Sequence, residues 1–140
     1  MSKSLHDLVA FKRALEVVVA VYDATANFPR REMYGLTAQV RRASIGIISN
    51  IAEGQGRLTY GEWRQFLSQA RGSLFEVEAQ LLTAHALGFL PESALLHLRK
   101  LIGGTGRALS GFIEWVQKRE LATAKPRNRA TAKPAVQRSS

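Results

Sequence analysis

The chain contains no cysteine, which removes disulfides, thiol nucleophiles and thiolate-bound metals from consideration and fits a reducing compartment. No apolar run approaches the roughly 18 residues that a membrane span requires. The opening Met1-Ser2-Lys3-Ser4 lacks the apolar stretch and cleavage site of a secretion signal. The expectation is a cytoplasmic protein with no membrane association. Catalytic patterns are scarce as well. His6, His85 and His97 stand far apart, and none belongs to a His-Glu-x-x-His motif. The Glu-x-x-His pairs of di-iron bundles are missing. Gly103-Gly104-Thr105-Gly106-Arg107 has the glycines of a phosphate loop, but no strand precedes it and no Gly-Lys-Ser/Thr ends it. The sequence therefore points away from an enzyme and offers no metal or cofactor site.

What is present is apolar periodicity. Apolar residues make up 46% of 140 residues, enough for one domain with a core. Leu8, Phe11, Leu15, Val18 and Tyr22 recur in steps of three and four, the spacing of one helix face. That helix is expected to end near Asn27-Phe28-Pro29, because proline disfavours helix in the residue before it. A second helix is expected from about Tyr34 to Glu53, with Leu36, Val40, Ala43, Ile47 and Asn50 on its inner face. Gly54-Gln55-Gly56 offers a left-handed stop. Thr59-Tyr60-Gly61-Glu62 has the spacing of a capping box and opens a third helix, striped by Trp63, Phe66, Leu67, Ala70, Leu74, Val77 and Leu81, with Gly88 as its cap. A fourth helix starts near Pro91 and carries Leu95, Leu98, Ile102, Leu109, Phe112 and Val116. Gly103, Gly104, Gly106 and Gly111 interrupt it, at about 0.8–1 kcal/mol each against alanine. Either the helix kinks there or tight packing compensates, and tight packing is the favoured expectation. No segment alternates with period two. The fold class expected is all-α: an antiparallel up-and-down four-helix bundle over residues 1–117, followed by a disordered basic tail over residues 118–140.

Charge separates the two parts. The net charge is +9, yet residues 118–140 hold seven of the 20 Lys and Arg and one of the 11 Asp and Glu. The body is nearly balanced, whereas the tail is a polycation built on Ala-Thr-Ala-Lys-Pro, which occurs twice (residues 122–126 and 130–134). Such a segment can follow a phosphate backbone. It has no aromatic residue on which to stack a base, so it should not read sequence.

Several strings in the body, in order, resemble a known family. They are Leu8-Val9-Ala10-Phe11-Lys12-Arg13-Ala14, Phe28-Pro29, Glu32-Met33-Tyr34-Gly35-Leu36-Thr37-Ala38-Gln39-Val40-Arg41-Arg42-Ala43, Ile45-Gly46-Ile47-Ile48-Ser49-Asn50-Ile51-Ala52-Glu53-Gly54 and Phe66-Leu67-Ser68-Gln69-Ala70-Arg71-Gly72-Ser73-Leu74-Phe75-Glu76. They resemble the four-helix-bundle proteins of intervening sequences in bacterial 23S ribosomal RNA genes, over about residues 5–117. The resemblance implies a bundle, and many members of the family have no known role. Related bundles are accessory proteins of diversity-generating retroelements. The resemblance to those implies a homo-oligomeric ring, with a pentamer favoured, that binds RNA or DNA and a reverse transcriptase.

Candidate contact residues follow from chemistry, since arginine's planar fork of donors matches phosphate. Arg41, Arg42, Arg57, Arg64 and Arg71 are the candidates on the body, against the plainer reading of a solvated face with ordinary ion pairs. Lys118, Arg119, Lys125, Arg127, Arg129, Lys133 and Arg138 are those of the tail, against a merely solubilising role. Asn50, on an apolar stripe one turn before Glu53, is expected to join it in a structural polar network. Trp63 and Trp115 are expected in the core, as are Phe66 and Phe112. The reading reached is a non-enzymatic nucleic-acid-binding scaffold. The alternative is an adaptor that serves a retroelement reverse transcriptase.

Overall fold

The computed structural model describes residues 4–138, with side chains described through Ala124. The order is α1 (Leu5–Thr25), a 3-10 turn (Arg30–Glu32), α2 (Leu36–Gln55), α3 (Tyr60–Ala86) and α4 (Glu92–Arg138). There is no strand among the described residues. Each helix packs on its neighbours around the bundle, α1 on α2 and α4, and α3 on α2 and α4. The α1 and α3 backbones do not approach each other closely among the described residues, so these helices lie on one diagonal of the bundle.

Local chemistry sets the helix ends. Ser4 caps α1 by accepting from the Asp7 N–H at 3.2 Å. Thr59 caps α3 by accepting from the Glu62 N–H at 3.1 Å, and its hydroxyl donates to Glu62 Oε1. The capping box is thus half-realised, because Glu62 takes the threonine hydroxyl instead of the backbone N–H. Gly88 closes α3 at φ +81°. The Phe89 N–H donates to Ala84 O and the Gly88 N–H to His85 O, the bond pair of a Schellman motif. At the end of α2 the expectation of a left-handed glycine fails. Gly56 has φ −82°, and Gly54 lies buried inside the helix. A Cβ on Gly54 would come within 2.8 Å of Trp63 Cδ1. Close approach to an indole, not backbone conformation, explains that glycine.

The stripe expected to bury α1 is wrong by one residue. Its inner face is Asp7, Ala10, Ala14, Val17, Val18, Val21 and Thr25. Of the expected five, only Val18 is buried; Leu8, Phe11, Leu15 and Tyr22 are 56%, 40%, 47% and 40% exposed. A helix apolar over most of its circumference offers two adjacent stripes, and periodicity alone cannot choose between them. The bundle takes the stripe with Ala10 and Ala14, whose small side chains let α2 and α4 come close. α2 keeps its expected face as far as Ile47, after which Ile51 rather than Asn50 points inward. The α3 stripe is buried as expected at Trp63, Leu67, Ala70, Leu74, Val77 and Leu81, while Phe66 is half-buried. Leu95, Leu98, Ile102, Leu109, Phe112 and Val116 line the core side of α4.

The α4 glycines are not uniformly packed. Gly106 would bring a Cβ to 3.6 Å from Leu74, an ordinary contact, and Gly111 meets nothing within 4 Å. Tight packing therefore accounts for few of them. Residues 118–124 also differ from expectation, since they continue α4 rather than begin a tail. The remaining tail cations, Lys125, Arg127, Arg129, Lys133 and Arg138, lie outside the residues whose side chains are described.

Candidate nucleic-acid interface

The body arginines chosen from the sequence do not form one face. Arg64 and Arg71 lie one above the other along the α3–α4 groove, as their spacing requires. Arg64 Nε donates to Glu120 Oε1 at 2.8 Å. The hydrogen bond first, and the carboxylate charge second, raise the Arg64 pKa above its ordinary value. This guanidinium is already paired and ties α4 to the start of α3. Arg71 Nη1 reaches Ser110 Oγ at 3.4 Å across the same groove. Among the described residues Arg71 has no carboxylate partner, and it is half-buried.

Arg41 sits on the α1–α2 groove at the opposite end. Its Nε donates to Thr25 Oγ1 at 2.8 Å, and its guanidinium stacks over the Tyr22 ring at 4.6 Å. Arg42, one residue on, is exposed. Arg57 donates from Nε to the Glu53 carbonyl at 3.2 Å and covers the Phe66 ring at 5.0 Å. The plainer reading thus holds for Arg64, and Arg41 and Arg57 act as packing residues. Among the described residues Arg41, Arg42, Arg57 and Arg71 have no carboxylate partner, and of these Arg42 and Arg71 do not stack on a ring.

At the root of the tail, Lys118 pairs with Glu114 at 3.4 Å on an exposed helix turn. The Arg119 guanidinium lies 3.6 Å from the centre of the Trp115 ring. Trp115 in turn joins Trp63, Phe112 and His6, with edge-on contact to Trp63 at 5.8 Å. This aromatic cluster ties α1, α3 and α4 together where the basic segment leaves the bundle. Trp63 is 1% exposed and Phe112 fully buried, so core packing is their role as expected. Trp115 is only half-buried.

The expected link between Asn50 and Glu53 is not formed. Asn50 Nδ2 donates to the Gly46 carbonyl at 2.9 Å within its own helix, and Glu53 is exposed. A partly buried polar contact does join α1 to α2 elsewhere, where Gln55 Nε2 donates to Asp7 Oδ2. Sequence reading missed it because the α1 stripe was misplaced by one position, which put Asp7 outside.

The sequence reading also passed over Arg13 on α1 and Arg107 on α4. Both are exposed, and among the described residues neither has a carboxylate within 4.0 Å. They meet above Gly103 and Gly104. The signal was in the glycine run ending at Arg107, but it was weighed only as a backbone phosphate loop. No group of three or more His, Asp or Glu side chains able to hold a metal occurs among the described residues. No described helix is long and apolar enough to cross a membrane.

These features define a four-helix bundle whose distinguishing chemistry is cationic side chains along its grooves and beyond its last buried turn. Over residues 6–111 the chain matches the 23S rRNA-intervening sequence protein family, and it belongs to that family. A solved protein of unknown function from the S23 ribosomal protein family of Bacteroides thetaiotaomicron is similar in structure, with a TM-score of 0.72 at 16% identity. The likeness covers 79% of this chain and 99% of that one, and it shows the shared fold. No curated protein matches the sequence.

Proposed function

We propose that this protein is a non-enzymatic scaffold that binds RNA or DNA through backbone contacts and works as a homo-oligomeric ring. The observation that carries the reading is the charge step along the chain. Residues 118–140 hold seven cations against one acid, and that acid, Glu120, is turned back onto Arg64. The segment is joined to the bundle through continuous helix, so the charge is presented from a fixed point. Arg42 and Arg71 add unpaired charge on the body.

Self-association is supported by unpartnered apolar surface. Leu5, Leu8, Leu15 and Val19 of α1 are 75%, 56%, 47% and 55% exposed. On α3, Phe75 and Leu82 are 59% and 41% exposed. Because α1 and α3 lie on one diagonal, a single two-fold contact through one of these faces leaves the other bare. Head-to-tail contacts around a closed ring cover both. The pentamer favoured by the family resemblance is one such ring.

The test is binding of labelled structured RNA and duplex DNA by the full chain and by a chain ending at Ala124, at low and physiological salt, with mass read by light scattering. Cutting after Ala124 keeps the Arg64–Glu120 pair. The expected result is an oligomer whose affinity falls with salt and with loss of residues 125–140. The slope of log affinity against log salt should be as steep as about −6 on duplex DNA if all seven cations engage. Affinity unchanged by truncation and by doubled salt would sink the reading. A well-folded oligomer that binds neither nucleic acid would move the assignment to a protein partner, of which a retroelement reverse transcriptase is the specific candidate.

A further inference from the structure

We propose that Arg13 and Arg107 form a phosphate clamp over the Gly103–Gly104 notch of α4, a site separate from the basic tail. The geometry begins with the glycines. The point where a Cβ on Gly104 would stand is 2.9 Å from Arg13 Nη1 and 3.9 Å from Arg107 Nη2. The two guanidiniums therefore approach to less than about 7 Å, the most that those distances from a shared point permit. On Gly103, a Cβ would meet Arg107 Nη1 at 3.5 Å. The three nearest atoms to the Gly104 position outside the helix's own backbone all belong to these two guanidiniums, and among the described residues the Gly103 position meets only Arg107. The two missing side chains make the space in which the guanidiniums lie.

Two positive groups this close need a reason. Neither makes a hydrogen bond or ion pair to another described residue, and neither stacks on a ring, unlike Arg41, Arg57, Arg64 and Arg119. Glu16 lies one turn along α1 from Arg13, yet comes within 4.0 Å of neither guanidinium. Lys100 is exposed one turn before Gly104 on α4, and Lys12 is exposed beside Arg13, so the surroundings are cationic. A tetrahedral oxyanion with oxygens about 2.5 Å apart can accept paired charge-assisted bonds from two forks that converge within this limit. The ligand class is a phosphate group, either a phosphodiester of a nucleic acid or the phosphate of a small molecule. The mechanism differs from a phosphate loop. Inside a helix the Gly103 and Gly104 N–H groups serve the helix, so side chains must supply the donors.

The test is site-specific proton–nitrogen NMR on the full chain, titrated in separate arms with inorganic pyrophosphate and with a short RNA oligonucleotide. Each is repeated on Arg13→Gln/Arg107→Gln and on Gly104→Ala, with folding checked by circular dichroism. The expected result is movement of the Gly103 and Gly104 amide signals and the Arg13 and Arg107 Nε–H signals in wild type. Loss of charge-assisted bonds should weaken that binding about tenfold or more in the double variant. Gly104→Ala should weaken it too, because its methyl group displaces Arg13 without removing charge. Movement with pyrophosphate alone identifies a small-molecule phosphate as the source and upholds the clamp while counting against the nucleic-acid reading above. Movement with both points to a nucleic-acid backbone. Oligonucleotide binding that leaves the Gly103 and Gly104 signals still overturns the clamp and leaves the tail reading standing. Equal affinity in wild type and the double variant also overturns it.

Discussion

On the side of α4 that faces α3, arginine meets oxygen: Arg64 on Glu120 at 2.8 Å, Arg99 on Glu78 at 3.4 Å, Arg71 on Ser110 at 3.4 Å. On the side that faces α1, Arg13 and Arg107 converge with no carboxylate within 4.0 Å among the described residues. The glycines differ in parallel. Gly54, which packs α2 against α3, lies against the Trp63 indole, whereas Gly104 lies beneath guanidinium groups. Neither electrostatic arrangement moves stability far. An exposed pair contributes about 0.2–1 kcal/mol, and two like charges about 4–7 Å apart in water repel by only about 0.6–1 kcal/mol. The difference is one of availability: in one groove Arg64 and Arg99 are paired with carboxylates and Arg71 rests on a hydroxyl, whereas in the other neither arginine has an acceptor among the described residues.

The largest break in this comparison is at Trp63, buried among Phe112, Trp115 and Gly54. Trp63→Ala should destabilise the fold by about 3–5 kcal/mol in urea unfolding, and a cost under 1 kcal/mol would show that the aromatic cluster does not anchor the bundle. Next is Gly54→Ala, which forces a methyl group against the indole and should cost about 1–3 kcal/mol through overpacking. Gly104→Ala should have the opposite sign. Its methyl group meets the tips of two flexible arginine side chains, so helix propensity adds up to about 1 kcal/mol. If thermal melts show Gly104→Ala as destabilising as Gly54→Ala, the glycine contrast is wrong. The smallest effect is Glu120→Gln, expected to cost about 0.2–1 kcal/mol at low salt and less at high salt. The check is the unfolding midpoint of wild type and variant in low and high sodium chloride, where a cost independent of salt would mean that Arg64 is held by packing instead.

Much of the fold was legible because the signals were local. Thr59 with Glu62, Gly88 and the apolar spacing of α3 and α4 each act within a few residues, and each marks its element as read. The face of α1 was not legible. Leu8, Phe11 and Leu15 satisfy helical spacing as well as Ala10 and Ala14 do, and the choice depends on how closely α2 and α4 approach. The continuation of α4 through residues 118–124 was missed for a related reason: Arg119 on Trp115 and Glu120 on Arg64 are contacts that a scan for apolar rhythm does not register. The candidate site suffered most. Arg64 looked like a free cation until α4 brought Glu120 to it across 56 positions of sequence. Arg13 looked unremarkable until the bundle laid it over Gly104.

By itself the sequence determined four helices, most of their ends, the stripes of α3 and α4, and the step in charge at the C-terminal segment. These depend on periodicity, capping and composition, which act over short spans of chain. Tertiary structure alone decided which face of α1 is buried, which arginines are neutralised and which remain open, and what each glycine serves. Those outcomes depend on distances between helices, where a shift of one residue turns a helix face by about 100° and exchanges an inward side chain for an outward one.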